Sequence, residues 1–339
     1  MARTTGHTIA GDLIRAHSST AAYGSRIGGM LLAIALLSAL PASSSEAGKP
    51  GAKSHYRSPN DGQASSASQD GNKPADDRAE EKTNFPVIRS LFGVRKDDES
   101  GHGDELIAAV PMERLTVEAQ QKLAAISDHP SLYRRLPTQA IRCDEELFLF
   151  LTRKPETIIG IWDLMGITKV QANRVGPYKM DAEDGCGTTC EIDLIYGDRN
   201  LHVFVADGMY DGKFAQKPIL GKGVFVFKSS YAIAADGSTT VTGVLDCYIK
   251  FESLGADLLA RSLGVLIGKS ADHNFVETAK FISQISQASE TNPDGMLELV
   301  DRMPQVDAQT KMEFAQVIMN VSRRYAAKAS PVAKLIQDR

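Results

Sequence analysis

The sequence GVFVFKSSYAIAADGSTTVTGVLDCYIKF, residues 223–251, decides the fold of this chain. It contains two runs, Gly223–Ile233 and Thr239–Phe251, on either side of the turn residues Asp236 and Gly237. An Asp-Gly pair between alternating runs is a strong signal for a β-hairpin. In the second run the apolar residues Val241, Leu245, Cys247, Ile249 and Phe251 alternate with Thr242, Asp246, Tyr248 and Lys250. The stretch predicts a half-buried antiparallel sheet.

The residues before this hairpin extend the same sheet. From Leu201 to Ala206 the side chains again alternate, with Leu201, Val203 and Val205 on one face and His202, Phe204 and Ala206 on the other. Turn residues such as Gly197-Asp198 and Asp211-Gly212 separate the runs. No helical pattern lies between these strands, and parallel strands would need such crossovers. The sequence therefore predicts an antiparallel sheet and argues against a parallel α/β sheet.

Helical patterns flank the sheet on both sides. Gln139–Cys143 reads as a short strand, Asp144 caps a helix over Glu145–Arg153, and a second helix runs from Pro155 to Met165. After the sheet we predict two helices, Gly255–Ile267 and Ala271–Ser289. They are joined at Gly268-Lys269-Ser270, where Ser270 serves as an N-cap. The second helix has an apolar face formed by Phe275, Ala279, Ile282 and Ser286.

This order of elements resembles the helix-grip fold of the START-like superfamily. The resemblance covers about residues 137–289 and depends on the order of a strand, two short helices, antiparallel strands and a long helix. The block also resembles a family of exported bacterial proteins of uncharacterised function. The predicted fold class is α+β, with a curved antiparallel sheet gripping a long C-terminal helix and extra flanking helices. The resemblance implies a cavity between sheet and helix that binds a lipid or another apolar molecule.

The N-terminal third of the sequence predicts an export signal followed by a linker. An uncharged apolar run at 27–40 follows Arg26, and at 14 residues it is short for a membrane span, which needs about 20. We predict a signal peptide over 1–47 and export to the periplasm or beyond, the alternative being an uncleaved membrane anchor through 27–40. Residues 48–104 are predicted to be a disordered polar linker. An apolar run, Phe85–Phe92, interrupts it.

The remaining chain divides into three predicted parts. Residues 105–136 form a flanking helical segment, 137–290 the helix-grip domain, and 291–339 a C-terminal helical extension. Asp307 caps the last helix of that extension. This extension docks on the same chain in our interpretation, with an envelope partner or a membrane surface as the alternative. The sequence does not predict an oligomeric state.

Cys143, Cys186, Cys190 and Cys247 are disulfide candidates in an exported chain. Cys186 and Cys190 could bond only across a turn, which Gly185 and Gly187 could supply. A bridge from Cys190 to Cys247 across neighbouring strands is the rival, and four free thiols are the third interpretation. A zinc site would need further ligands at suitable spacing, so no metal is predicted.

Candidate cavity residues combine aromatic and polar side chains on the predicted sheet and helices. They are Trp162, His202, Phe204, Tyr210, Tyr248, His273 and Asn274. We expect His273 or Asn274 to meet His202 or Tyr248 across the cavity, as a polar anchor or an acid/base pair. The simpler interpretation pairs His273 with Glu277 on the helix surface and leaves Asp272 in a favourable first turn. Asp246 is expected to face solvent unless its face lines the cavity.

The function predicted first is an exported binding protein for an apolar small molecule or lipid, with no cofactor. A hydrolase- or cyclase-type enzyme in the same cavity is the first alternative, although no run combines a nucleophile, a base and an orienting group. A structural cell-envelope protein without a ligand is the second. With a net charge of −4 and scattered Lys and Arg residues, the chain shows no basic stripe, so nucleic acid is not a predicted partner.

Overall fold

An antiparallel sheet of eight strands forms the centre of the computed structural model. The structure describes residues 101–212, 217–252 and 254–329, with the backbone alone for 101–102, 254–269 and 329. The strands are β1 (Leu132–Arg135), β2 (Gln139–Arg142), β3 (Gln171–Arg174), β4 (Lys179–Glu183), β5 (Thr188–Gly197), β6 (Leu201–Tyr210), β7 (Ile219–Ile233) and β8 (Thr239–Phe251). They pair in the order β1-β8-β7-β6-β5-β4-β3, and β2 also pairs with β8.

Helices precede, interrupt and follow the strands. They are α1 (Gly101–Ala109), α2 (Val117–Ser127), α3 (Glu145–Arg153), α4 (Glu156–Leu164), α5 (Leu254–Thr291), α6 (Pro293–Arg302) and α7 (Ala308–Ala329), with a 3₁₀ turn at Met112–Arg114. The architecture is α+β, with a curved antiparallel sheet, a long helix after the last strand and flanking helices. The fold class predicted from the sequence is therefore confirmed. Within the described ranges no helix is both long and apolar enough to span a membrane.

The β7–β8 hairpin forms as its Asp-Gly pair predicts. Gly237 has a φ of +74°, a conformation that glycine adopts without a steric penalty. The Ser238 amide donates to Asp236 Oδ1 at 2.8 Å, and the Gly237 amide donates to the Ala234 carbonyl at 2.8 Å. β7 begins at Ile219, ahead of the predicted start at Gly223, while β8 has the predicted limits.

Both faces of the central strands are covered, which differs from the predicted half-buried sheet. The inner face, marked by Phe204, Phe225 and Cys247, packs against α3, α4 and α5. The outer face, marked by Val203 and Tyr248, belongs to a second apolar cluster. That cluster is completed from α1 and α2 by Leu106, Leu123 and Ile126. The flanking helices therefore cover the face that the alternation assigned to solvent.

Helix α5 is continuous, so the predicted break at Gly268-Lys269-Ser270 is wrong. A glycine inside a helix costs only about 1 kcal/mol relative to alanine, and a serine costs less. Neither cost stops a helix that is continued on both sides. The helix ends at Thr291, where Asn292 caps α6 by accepting from the Gly295 amide at 3.2 Å.

The other predicted helix starts are confirmed. Asp144 Oδ1 accepts from the Glu146 amide at 3.0 Å at the start of α3. Asp307 Oδ1 accepts from the Thr310 amide at 2.9 Å at the start of α7. Strand β1 lies ahead of the predicted first strand and pairs with β8, so the predicted flanking segment contributes to the sheet. The predictions for 1–100 lie outside the described residues, and α1 begins at Gly101, inside the predicted linker.

Candidate functional site

The layer between the inner face of the sheet and α5, here called the inner layer, is the candidate site. One part of it is filled by large aromatic side chains. Trp162 on α4 meets Phe281 on α5 with ring centroids 5.6 Å apart. Phe227 on β7 meets Phe275 on α5 at 6.3 Å and Phe148 on α3 at 5.9 Å. This part is a packed aromatic core.

A different part of the inner face carries only small side chains, and we call it the small-residue floor. It consists of Ala182, Cys190, Ala206, Gly208 and Gly221. Four of these residues form one row across β4 to β7, because Ala182 pairs with Cys190, Cys190 with Gly208 and Gly208 with Gly221. Among the described residues, a Cβ atom added at Gly208 would meet no atom closer than 3.5 Å, and one added at Gly221 would lie 3.4 Å from the Phe251 ring. The sheet therefore contributes little volume here.

Helix α5 starts close to this floor. It begins at Leu254, and Phe251, the last residue of β8, is the register partner of Gly221. Further along, Arg134 on β1 forms an ion pair with Asp272 on α5. Two nitrogens of the Arg134 guanidinium donate, one to each carboxylate oxygen of Asp272. The ion pair holds the middle of the helix against the sheet edge, beyond the floor.

Several buried hydrogen-bonding atoms of the inner layer have no partner within the described part of the chain. They include Trp162 Nε1, Asn274 Oδ1 and Thr278 Oγ1. Asn274, Thr278 and Phe281 are spaced by four and three residues, so they share one face of α5, and Phe281 contacts Trp162. More than about 90% of buried polar groups in proteins are hydrogen-bonded. The indole donor, the amide oxygen and the hydroxyl mark positions in the inner layer where a polar group would be stabilised.

His202 lies on the inner face of β6 and is fully buried. Its Nε2 accepts from Arg153 Nε at 3.2 Å, and its Nδ1 has no partner in the described part of the chain. Burial, together with the nearby Arg153 charge, lowers the pKa of His202 to about 4, although the Asp198 charge opposes this. His202 is therefore neutral near pH 7. The charged group that it contacts is the Arg153 guanidinium, not a carboxylate.

The expected meeting of helix and sheet polar groups across the cavity does not occur as predicted. His273 is exposed on α5, whereas Asn274 is buried. The helical rotation of 100° per residue turns His273 outward while Asn274 faces the buried side. Glu277, the predicted surface partner of His273, receives a hydrogen bond from Lys280 at 2.7 Å.

Tyr248 and Asp246 lie on the outer face of β8, so Tyr248 does not line the inner layer. Its ring packs on Tyr133 at 4.9 Å. Asp246 is fully buried and accepts from Arg135 at 2.6 Å and from Lys228 at 3.3 Å, which corrects the expectation that it faces solvent. Burial would raise the pKa of Asp246, but the hydrogen bonds and charges of Arg135 and Lys228 outweigh this and hold it below its ordinary value.

The remaining candidates are buried on the inner side. Phe204 and Trp162 belong to the main apolar core. Tyr210 is 4% exposed and lies opposite Thr188 in the β5–β6 register. Of the predicted cavity residues, Asn274 lies on the face of α5 that also carries Phe281, and Phe281 contacts Trp162. The structure adds Thr278, Asp184 and Thr188, which the sequence analysis missed. The alternation of β4 and β5 could have indicated the last two.

All four cysteines are free thiols in this structure. The predicted bridge between Cys190 and Cys247 is wrong, because their strands β5 and β8 are separated by β6 and β7. Three strand spacings amount to about 14 Å, well beyond disulfide reach. Burial raises the pKa of Cys190 to about 12 and also raises that of Cys143 and Cys247. Only Cys186, in the β4–β5 turn, is exposed.

Clefts also open on the surface of the described residues. One, of about 580 Å³, crosses β4 to β7 and is lined by acidic side chains of the outer face such as Asp181 and Glu191, together with Ala182, Cys190, Gly208 and Gly221 of the small-residue floor. Another, of about 800 Å³, lies between α3, α7 and the β7–β8 turn. Several charged groups lining it form ion pairs, as Lys154 does with Glu313 at 2.7 Å. In the described parts of the chain no three His, Cys, Asp or Glu side chains are grouped to hold a metal ion.

No protein-family model matches the chain, and no curated protein matches its sequence. Among solved structures, a conserved protein from Geobacillus kaustophilus is 12% identical with a TM-score of 0.30, covering 44% of this chain and 96% of that one. Ara h 8.0201 is 16% identical with a TM-score of 0.23, covering 42% and 97%. Dicamba monooxygenase with non-heme iron and dicamba is 12% identical with a TM-score of 0.28, covering 60% and 61%. Scores this low carry no argument, so the helix-grip description rests on this chain's own topology.

Proposed function

We propose that this chain is a binding protein that holds an apolar small molecule with at least one polar group between the sheet and α5. The observation that carries the proposal is the set of buried atoms without partners, above all Trp162 Nε1 and Asn274 Oδ1. An indole N–H only donates and an amide oxygen only accepts, so a polar group of a bound molecule could accept from the first or donate to the second. The small-residue floor supports the proposal because the sheet leaves volume there.

Catalysis in the inner layer has less support. His202 Nε2 accepts from Arg153 and its Nδ1 has no hydrogen-bond partner among the described residues, so it lacks the orienting partner that a general base requires. The buried thiols of Cys143 and Cys247 have raised pKa values, which disfavours the nucleophilic thiolate. Export through the apolar run at 27–40 is a separate part of the proposal.

A structural role without a ligand is favoured by one specific observation, the packed aromatic core. Trp162 and Phe281 fill their part of the inner layer as side chains do in protein interiors. The two functions differ in what the inner layer holds. A binding protein exchanges an external molecule there, whereas a structural protein excludes one.

Native mass spectrometry of the full chain purified from its own host tests the binding function. We expect about one retained apolar molecule per chain, released by denaturation. Asn274→Leu should lower its occupancy, with roughly tenfold weaker binding from the lost hydrogen bond. Asn173→Leu is the matched control, because Asn173 is exposed on β3 and should retain the molecule fully.

A second measurement uses Trp162, the only tryptophan, as a built-in probe. After removal of any retained molecule, the neutral apolar dye N-phenyl-1-naphthylamine should bind and quench Trp162 emission by energy transfer. A chain that carries no molecule from its host and shows no energy transfer to the dye contradicts the binding function and supports the structural one.

A further inference from the structure

The turn between β4 and β5 places a second pair of buried polar atoms at one end of the sheet. Asp184 is 5% exposed and Thr188 is 1% exposed. Asp184 Oδ1 accepts from the Cys186 amide at 2.7 Å and from the Thr188 amide at 2.9 Å. Asp184 Oδ2 and Thr188 Oγ1 have no hydrogen-bond partner among the residues that the structure describes. The turn therefore uses one carboxylate oxygen and leaves the other available.

Both side chains belong to the inner face. Met180 and Ala182 are the inner residues of β4, and Asp184 continues their alternation by two positions. On β5, Ile192 and Cys190 face inward, and Thr188 follows in the same way. The row containing Thr188 and Tyr210 is therefore next to the row of Cys190 and Gly208 in the small-residue floor. The two polar atoms border that floor directly.

The chemistry of this pair specifies what would satisfy it. An ionised carboxylate only accepts hydrogen bonds, and burying its charge without a cation is costly. No Lys, Arg or His of the described residues forms an ion pair with Asp184, whereas the buried carboxylates of Asp246 and Glu156 both have arginine partners. A protonated amine supplies the missing charge and several N–H donors, one for Asp184 Oδ2 and one for Thr188 Oγ1.

We propose that Asp184 and Thr188 form the polar end of the ligand pocket and select an apolar molecule that carries an ammonium group. This inference rests on the proposed binding function and names its ligand class. The apolar part of the molecule lies over the small-residue floor, and its ammonium group lies at the β4–β5 turn.

Displacement of N-phenyl-1-naphthylamine from the full chain tests the inference with two matched ligands, decylamine and decanol. We expect the wild-type protein to bind decylamine at least tenfold more tightly than decanol. Asp184→Asn keeps the Oδ1 acceptor of the turn and should abolish this preference. Asp181→Asn removes the same charge from the exposed outer face of β4, and the preference should persist.

Thr188→Val provides a second variant in case Asp184→Asn does not fold, and it should reduce the preference about threefold. Equal binding of amine and alcohol by the wild-type protein overturns the inference while the proposed function stands. An amine preference that survives in Asp184→Asn overturns it as well, as does an undiminished preference in Thr188→Val when Asp184→Asn does not fold. If the dye itself does not bind, the proposed function fails and the ligand class fails with it.

Discussion

At the residue scale, burial of His202 links protein stability to pH. Its pKa is about 4 in the folded chain, below its ordinary value of 6.5, because burial and Arg153 disfavour the charged form. The unfolded chain therefore takes up a proton first as pH falls. The stabilisation is complete above pH 6.5 and is lost progressively between pH 6.5 and 4. We expect about 2 kcal/mol of stability to be lost between pH 7 and 5 from this residue.

Urea unfolding at pH 7 and pH 5 measures this loss. In His202→Gln the residue no longer titrates, so its stability should change less between the two pH values than that of the wild type. His129→Asn serves as a control, because His129 is 80% exposed and its φ of +61° suits asparagine. A wild-type pH dependence retained in His202→Gln would show that other groups dominate.

Two Arg–Glu pairs with nearly identical geometry show how burial decides the energetic value of an ion pair. Arg174 Nε lies 2.5 Å from Glu156 Oε1, and Arg199 Nε lies 2.5 Å from Glu145 Oε1. Glu156 is 1% exposed, whereas Glu145 is 35% exposed.

We expect Glu156→Gln to destabilise the protein by about 3 kcal/mol, because Arg174 loses its buried partner. Glu145→Gln should cost less than about 1 kcal/mol. Chemical denaturation compares the two variants, and equal costs would contradict the role of burial.

At the scale of elements, the continuity of α5 through Gly268 determines whether replacing this glycine raises or lowers the stability of the protein. In a continuous helix Gly268→Ala should stabilise the protein by about 0.5–1 kcal/mol, because alanine loses less backbone entropy. If the helix ended at Gly268 in a left-handed cap, alanine would be strained there and the variant would be less stable. Gly237→Ala is the matched control, since Gly237 has a φ of +74° and its replacement should destabilise the β7–β8 turn by about 1 kcal/mol. Urea midpoints of the two variants should move in opposite directions.

The sequence predicted the elements whose signals are local. Asp236-Gly237 forms the hairpin turn, and Asp144 and Asp307 cap α3 and α7 because a side-chain oxygen near free helix amides acts within one turn of the chain. The break at Gly268 failed because a weak local penalty was treated as a stop signal. Burial of the outer face escaped prediction since it depends on α1 and α2, more than 70 residues away from the β6 strand that they cover.

At the scale of the whole molecule, the candidate site was predictable only in part. Trp162 and Asn274 were identified because aromatic and amide side chains on helices facing a sheet suit a cavity. Tyr248 was misplaced, since periodicity separates two faces of a strand without showing which one faces α5. Asp184 was missed because it is hidden in a turn, where its use as a local acceptor resembles ordinary turn chemistry.

The inner and outer clusters share the same central strands, which predicts that the described part of the protein unfolds as one unit. Phe204 belongs to the inner cluster and Val203 to the outer, so loss of strand β6 exposes both. Emission from Trp162, which is fully buried, should therefore change at the same urea concentration as the far-ultraviolet circular dichroism of the helices. Leu123→Ala, in the outer cluster, should lower the free energy of unfolding by about 3 kcal/mol, so that both transitions move together to lower urea concentration. A dichroism transition that precedes the Trp162 transition, and that alone responds to Leu123→Ala, would instead show that α1 and α2 unfold separately from the sheet they cover.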